Sequence, residues 1–103
     1  MIVAMTTVDS EEAAKRLAGL LVKNRLAACV SIAPNISSVY WWNGEIETSS
    51  EWLLIIKTAA ERIPAIEEFF KTAHTYELPE LIFAEFESSV RYGDWISDSL
   101  DGS

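Results

Sequence analysis

The chain has 103 residues, half of them hydrophobic and 23% charged, with four Trp, three Tyr and four Phe. That is enough apolar material to fill one core, which excludes a disordered chain and fits a single domain over residues 1–103. Sixteen Asp and Glu against eight Lys and Arg give a formal charge of −8; such a field repels phosphate backbones and anionic lipid, setting aside nucleic acid and membrane surfaces as partners, and is merely permissive for metal cations.

Ile2 to Val8 is a short apolar run and predicts a buried strand. Met1 to Met5 lacks a basic n-region, so it reads as strand and not as a signal peptide. No apolar run approaches the roughly 20 residues that cross a bilayer. With a single cysteine, Cys29, nothing argues for secretion, and a cytoplasmic location is expected.

Asp9-Ser10-Glu11-Glu12 fits a capping box with Asp9 as N-cap. Ala13, Leu17, Leu20 and Leu21 follow at helical spacing, and Lys23 and Arg25 stand where the helix dipole favours cations. Leu26 to Ile32 predicts a strand, with Ala28, Val30 and Ile32 on one side and Cys29 on the other. Pro34 interrupts it as a bulge or edge signal, and strand character resumes from Ile36 to Trp42. Asn43-Gly44 is a strong hairpin signal, because both central residues of a type I′ turn need positive φ. The return arm runs from Glu45 to Thr58.

Pro64 opens a second helix, whose apolar stripe is Ile66, Phe69, Phe70 and Ala73. After Pro79 an extended segment places Ile82, Ala84 and Phe86 on one face; a short helix from about Ser89 places Tyr92, Trp95, Ile96 and Leu100 on one side. Asp101-Gly102-Ser103 should fray. The order β-α-β-β-α-β plus a final helix predicts an α+β, ferredoxin-like sandwich with an extended hairpin.

Each arm of that hairpin can reach about 45 Å at strand rise. A compact chain of this length has a radius of gyration near 13 Å and is roughly 34 Å across. The tip must overhang, carrying Tyr40, Trp41, Trp42 and Ile46, and an open-edged aromatic ribbon is a good strand donor to a neighbour. Tyr40, Trp41, Trp42 and Trp52 are therefore expected in an interface between copies. The competing expectation is that Pro34 bends the ribbon back over its own sheet.

Several motifs are more specific: Asn24-Arg25-Leu26-Ala27-Ala28-Cys29-Val30, Tyr40-Trp41-Trp42-Asn43-Gly44-Glu45-Ile46-Glu47, Lys57-Thr58, His74-Thr75-Tyr76 and Pro79-Glu80-Leu81-Ile82. In order and spacing these resemble the divalent-cation tolerance protein family, CutA. The resemblance implies a tight homotrimer with strands paired across subunits, in the cytoplasm, linked to tolerance of copper and other heavy metals. The family usually has His-Pro-Tyr where this chain has His74-Thr75-Tyr76. Some members carry a second histidine and a cysteine where this chain has Ala73 and Thr6.

His74 is the only histidine and fits either a ligand to Cu(II) or a helix-end residue satisfying carbonyls. Cys29 fits an inert buried thiol or, with His74 and with Glu80 or a sister chain completing the set, part of a site for copper or another divalent cation. No obligatory cofactor is implied. Lys57, Tyr76 and Glu80 fall in the family's motifs and are expected to line a pocket between subunits; a trimeric sensor of an anionic metabolite, comparable to PII signalling proteins, and a trimeric scaffold for another protein are the rival functions. Catalysis is not expected: there is no Gly-x-Ser-x-Gly elbow, and Gly19, Gly44, Gly93 and Gly102 are too scattered for a phosphate loop.

Overall fold

A computed structural model describes residues 1–102. Strand β1 (Ile2–Val8) leads to helix α1 (Glu11–Lys23), then to the long strands β2 (Cys29–Trp42) and β3 (Glu45–Thr58). A short 3-10 turn precedes helix α2 (Ile63–Ala73), and the chain closes with β4 (Ile82–Glu85) and α3 (Val90–Asp101). The sheet order is β2-β3-β1-β4 with every pairing antiparallel, which is the ferredoxin-like split βαβ arrangement expected from the sequence.

Strand alternation decides what each face of the sheet carries. Ile2, Ala4 and Val8 of β1, with Leu54 and Ile56 of β3, are buried in one cluster with Ala13, Ala14, Leu17 and Leu21 of α1 and Ile63, Ile66 and Phe70 of α2. The opposite face carries Val3, Met5, Leu53 and Ile55, each half-buried, together with exposed Ile82 and Ala84. One apolar face is thus packed under helices; on the other, Val3, Met5, Leu53 and Ile55 are only half-buried, and burial is reached at its far end, at Thr7 and Glu51.

Three local expectations need correction. The N-cap of α1 is Ser10, whose Oγ accepts from the Ala13 backbone N–H at 3.1 Å, and not Asp9. β2 begins at Cys29 and not at Leu26, because the preceding residues finish the helix: Arg25 donates its N–H to the Val22 carbonyl and Leu26 to the Leu21 carbonyl, a Schellman closure with Arg25 at φ 58°. On α3, Ile96 and Leu100 are buried, whereas Tyr92 and Trp95 stack on each other with centroids 5.6 Å apart and stay largely exposed. The C-terminal end of α3 is held from outside, by Arg25 to the Ser99 carbonyl at 2.8 Å and Arg62 to the Leu100 carbonyl at 3.1 Å. Asp101 remains helical, with Gly102 capping at φ 85°, while Ser103 lies outside the described residues.

The hairpin forms as the sequence predicts. Asn43 and Gly44 both take positive φ, 51° and 80°, and the register shifts between Ala33 and Ile36 where Pro34 sits. The bulge does not fold the ribbon back over the sheet. The molecule measures 46 × 26 × 22 Å, its long axis matching the 14-residue arms, and Val39, Tyr40, Trp41, Trp42 and Ile46 are exposed. Trp52, at the root of the ribbon, is half-buried against the chain's own core.

Candidate functional site

Where β1 ends, the loop after α2 passes from the helix layer toward the edge strand β4, and two polar clusters form along it. The first centres on His74, the C-cap residue of α2. Its Nε2 lies 2.9 Å from Oγ1 of Thr6, and its Nδ1 accepts the Tyr76 backbone N–H at 3.0 Å. An Nδ1 that accepts leaves the proton on Nε2, so the neutral ring donates to the Thr6 hydroxyl. The ring also packs edge-on against Phe70, centroids 5.1 Å apart. Burial holds its pKa below the ordinary histidine value, against smaller opposing effects of the Thr7 backbone and the Asp9 charge. Both nitrogens are occupied, so His74 has no lone pair for a metal while this arrangement stands.

Thr6 is therefore the direct partner of His74. Cys29 is not. Thr6 alternates with Ala4 on the helix-covered face, whereas Cys29 pairs with Lys57, itself opposite Val3, on the uncovered face. Within one chain Cys29 and His74 lie on opposite faces of the sheet, so the expected Cys29–His74–Glu80 set does not assemble there. Among the described residues no three His, Cys, Asp or Glu side chains come together as a metal site.

The second cluster lines a groove of about 820 Å³ that runs from the root of the hairpin, beside the loop after α2, along the ribbon toward its tip; its walls include Thr7, Tyr40, Trp42, Glu51, Tyr76 and Glu80. Glu51 is the residue that sequence reasoning missed. It belongs to the apolar return arm and gives no motif, yet it is only 6% exposed and its Oε2 accepts the Tyr76 hydroxyl proton at 2.6 Å. Burial first, then the Glu51 hydrogen bond and charge, push the Tyr76 phenol well above its usual range. Glu80 sits at the rim, its carboxyl held above the usual range by desolvation and by the Glu51 charge.

Within one chain Tyr76 and Glu80 meet in one groove, and Lys57 lies apart from them. Lys57 lies six residues along β3 from Glu51, about 20 Å at strand rise, and donates to Ser31 Oγ at 2.6 Å. Tyr40, expected in an interface, lines the groove and pairs its hydroxyl with Ser49 Oγ at 2.6 Å. The groove's lining within one chain holds no Lys or Arg among the described residues.

The class is thus an α+β, ferredoxin-like sandwich with one helix-covered face and a projecting ribbon. Solved structures of this shape include CutA1 from Oryza sativa, 44% identical with a TM-score of 0.92 over 95% of this chain and 91% of that one. The divalent cation tolerance protein from Thermus thermophilus is 41% identical, with a TM-score of 0.89 over 93% and 95%. Residues 2–99 match the family described as CutA1 divalent ion tolerance protein. The chain belongs to the CutA divalent-cation tolerance family. Among curated relatives, the chloroplastic Protein CutA 1 of Oryza sativa is 44% identical over 95% of this chain and 56% of its own length, and Protein CutA of Mus musculus is 42% identical over 90% and 53%. The chain spans about half the length of those relatives, but 95% of the Thermus thermophilus protein, to which it is 40% identical. None of these names describes a catalysed reaction.

Proposed function

We propose that this chain works as a cytoplasmic homotrimer in divalent-cation tolerance, and that copper is bound through Cys29 thiolates on sheet faces that meet between copies. The ribbon carries the reading. The accessible surface is 6609 Å², against about 5,800 Å² for a compact monomer of 11.5 kDa. The excess is where an oligomer would bury it: the aromatic tip, the open edges of β2 and β4, and the uncovered sheet face.

Cys29 lies on that uncovered face, half-buried in the single chain, and a soft thiolate favours copper over harder ions. His74 is placed elsewhere and is spoken for by Thr6 and Tyr76. Light scattering after gel filtration is expected to give three times the chain mass at micromolar concentration. Copper titration of tag-free protein is expected to lose its tight phase in Cys29→Ser and to keep it in His74→Gln. A well-folded species of 11.5 kDa at high concentration would end the trimer reading. Copper binding indifferent to Cys29→Ser would end the assignment of the metal.

A further inference from the structure

We propose that His74 is an acid-sensitive latch on the loop that follows α2: a proton taken up at Nδ1 releases the Tyr76 backbone, and with it the Tyr76 hydroxyl that holds Glu51 of β3. The device goes beyond metal tolerance and rests on neither the trimer nor the copper assignment, because its contacts all lie within one chain.

The ring is only 9% exposed, and its two nitrogens do different work. Nε2 donates to Oγ1 of Thr6 at 2.9 Å, whereas Nδ1 accepts the Tyr76 backbone N–H at 3.0 Å. An imidazolium donates from both nitrogens and accepts at neither. Protonation therefore keeps the bond to Thr6 and turns the other contact into two N–H groups aimed at each other. The latch opens on the loop side alone, and a backbone N–H that has lost its acceptor must turn toward water.

Tyr76 determines what moves with it. Its hydroxyl donates to Oε2 of Glu51 at 2.6 Å, across 25 positions of chain, and its ring packs on the imidazole with centroids 5.4 Å apart. Backbone, ring and hydroxyl of one residue thus join the end of α2 to the root of the ribbon. A change at Nδ1 reaches a carboxylate that is almost wholly buried through a single side chain.

The surroundings of the ring set the direction. It meets the Thr6 hydroxyl and Thr7 backbone of β1, the charge of Asp9 beyond that strand, and the Phe70 ring of α2. Arg16 of α1 lies close by, donating to the Ala73 carbonyl at 3.2 Å, and Glu51 of β3 stands behind Tyr76. Burial outweighs the help that Thr7 and Asp9 give to the charged form, so the closed loop holds the ring below its ordinary value of 6.5. An opened loop returns it to water and to that ordinary value. Acid below about pH 6.5 therefore favours the open loop, by up to about tenfold for each pH unit until the closed form is itself protonated.

The test is hydrogen exchange of the chelator-treated full chain, read on residues 74–81 at about pH 7.5 and about pH 5 and corrected for intrinsic rates, with the Asn43-Gly44 turn as internal reference. Wild type is expected to lose about tenfold or more of its loop protection in acid, with the turn unchanged. His74→Gln offers Tyr76 an amide oxygen that accepts at either pH. It is expected to keep its protection, although Asp9, Glu51, Glu77 and Glu80 all remain to titrate. Protection that is equal at both pH values in wild type, or that falls equally in His74→Gln, would overturn the proposal. Should His74→Gln fail to fold, NMR of wild type decides: the imidazole, the Tyr76 amide and the Tyr76 ring are expected to titrate with one midpoint. A Tyr76 amide or ring that stays put while the imidazole titrates would overturn it as surely.

Discussion

Nε2 of His74 stands 2.9 Å from the hydroxyl of Thr6, joining the end of α2 to the helix-covered face of β1. Since Nδ1 already accepts from the Tyr76 N–H, the ring is neutral in the fold, and burial holds its pKa below 6.5. Well above pH 6.5 the ring is neutral both folded and unfolded, so there it contributes no pH dependence. As the pH falls below 6.5 the unfolded chain takes up the proton first, and stability is lost through that window. Glu80 acts in the opposite sense: its folded value is raised above 4.5, so its contribution is present at low pH and is lost as the pH rises through the folded value. NMR titration is expected to place the His74 imidazole below the ordinary value, and His74→Gln to flatten the decline in stability just below pH 6.5. An imidazole titrating at or above 6.5 would contradict the buried, neutral ring.

The same pair gives a mutational test. Thr6 is fully buried, and Thr6→Val keeps its shape while removing the oxygen that accepts from His74. A buried donor left without a partner costs about 1–3 kcal/mol. Urea denaturation at fixed protein concentration is expected to show a loss in that range at pH 8. A neutral substitution would mean that the hydroxyl and imidazole are not partnered in solution.

At the ribbon tip, Trp41 and Ile46 are directly opposite each other across the hairpin and are 71% and 64% exposed. Neither packs into the chain's own core, so changing them should leave the fold intact and act on assembly. Trp41→Ser combined with Ile46→Thr keeps the strand and removes the apolar pair. Sedimentation at a dilution series is expected to show self-association weakened by about tenfold or more, since buried aromatic anchors dominate interface energetics. Unchanged association with an unchanged circular dichroism spectrum would move the interface away from the tip.

The elements that sequence pattern made legible are those whose signals are local. The Asn43-Gly44 turn, the Pro34 bulge and the helical stripe of α2 each follow from residues within a few positions of one another, and each is present. The start of β2 was misplaced because Arg25, and not a glycine, takes the left-handed position that closes α1, so the usual stop signal was missing. Glu51 was hidden for a different reason. A lone glutamate in an apolar strand looks like an outward-facing residue, and only the return of the loop after α2 across 25 positions brings Tyr76 over it. Cys29 and His74 looked like a pair because they are the only cysteine and the only histidine, but strand alternation places them on opposite faces of the sheet within one chain. Facing is a tertiary fact that residue type cannot supply.

The Tyr76–Glu51 contact is the last test, because the acidic groove depends on it. Tyr76→Phe removes the only proton donated, among the described residues, to a carboxylate that is almost wholly buried, and hydrogen bonds to charged groups are worth about 1.5–3 kcal/mol. A stability loss of that order is expected at neutral pH, where Glu51 is left buried without its donor. The phenol gives an independent reading. With desolvation and Glu51 both holding its pKa above 10, the stabilisation linked to that proton is complete below pH 10 and is lost as the pH rises through the raised folded value. Spectrophotometric titration should therefore show a phenol ionising only as the protein unfolds in alkali, and Tyr76→Phe should remove that late step. If the folded wild-type protein showed no late step that Tyr76→Phe removes, Tyr76 would be facing solvent and the wall it forms with Glu51 would not exist.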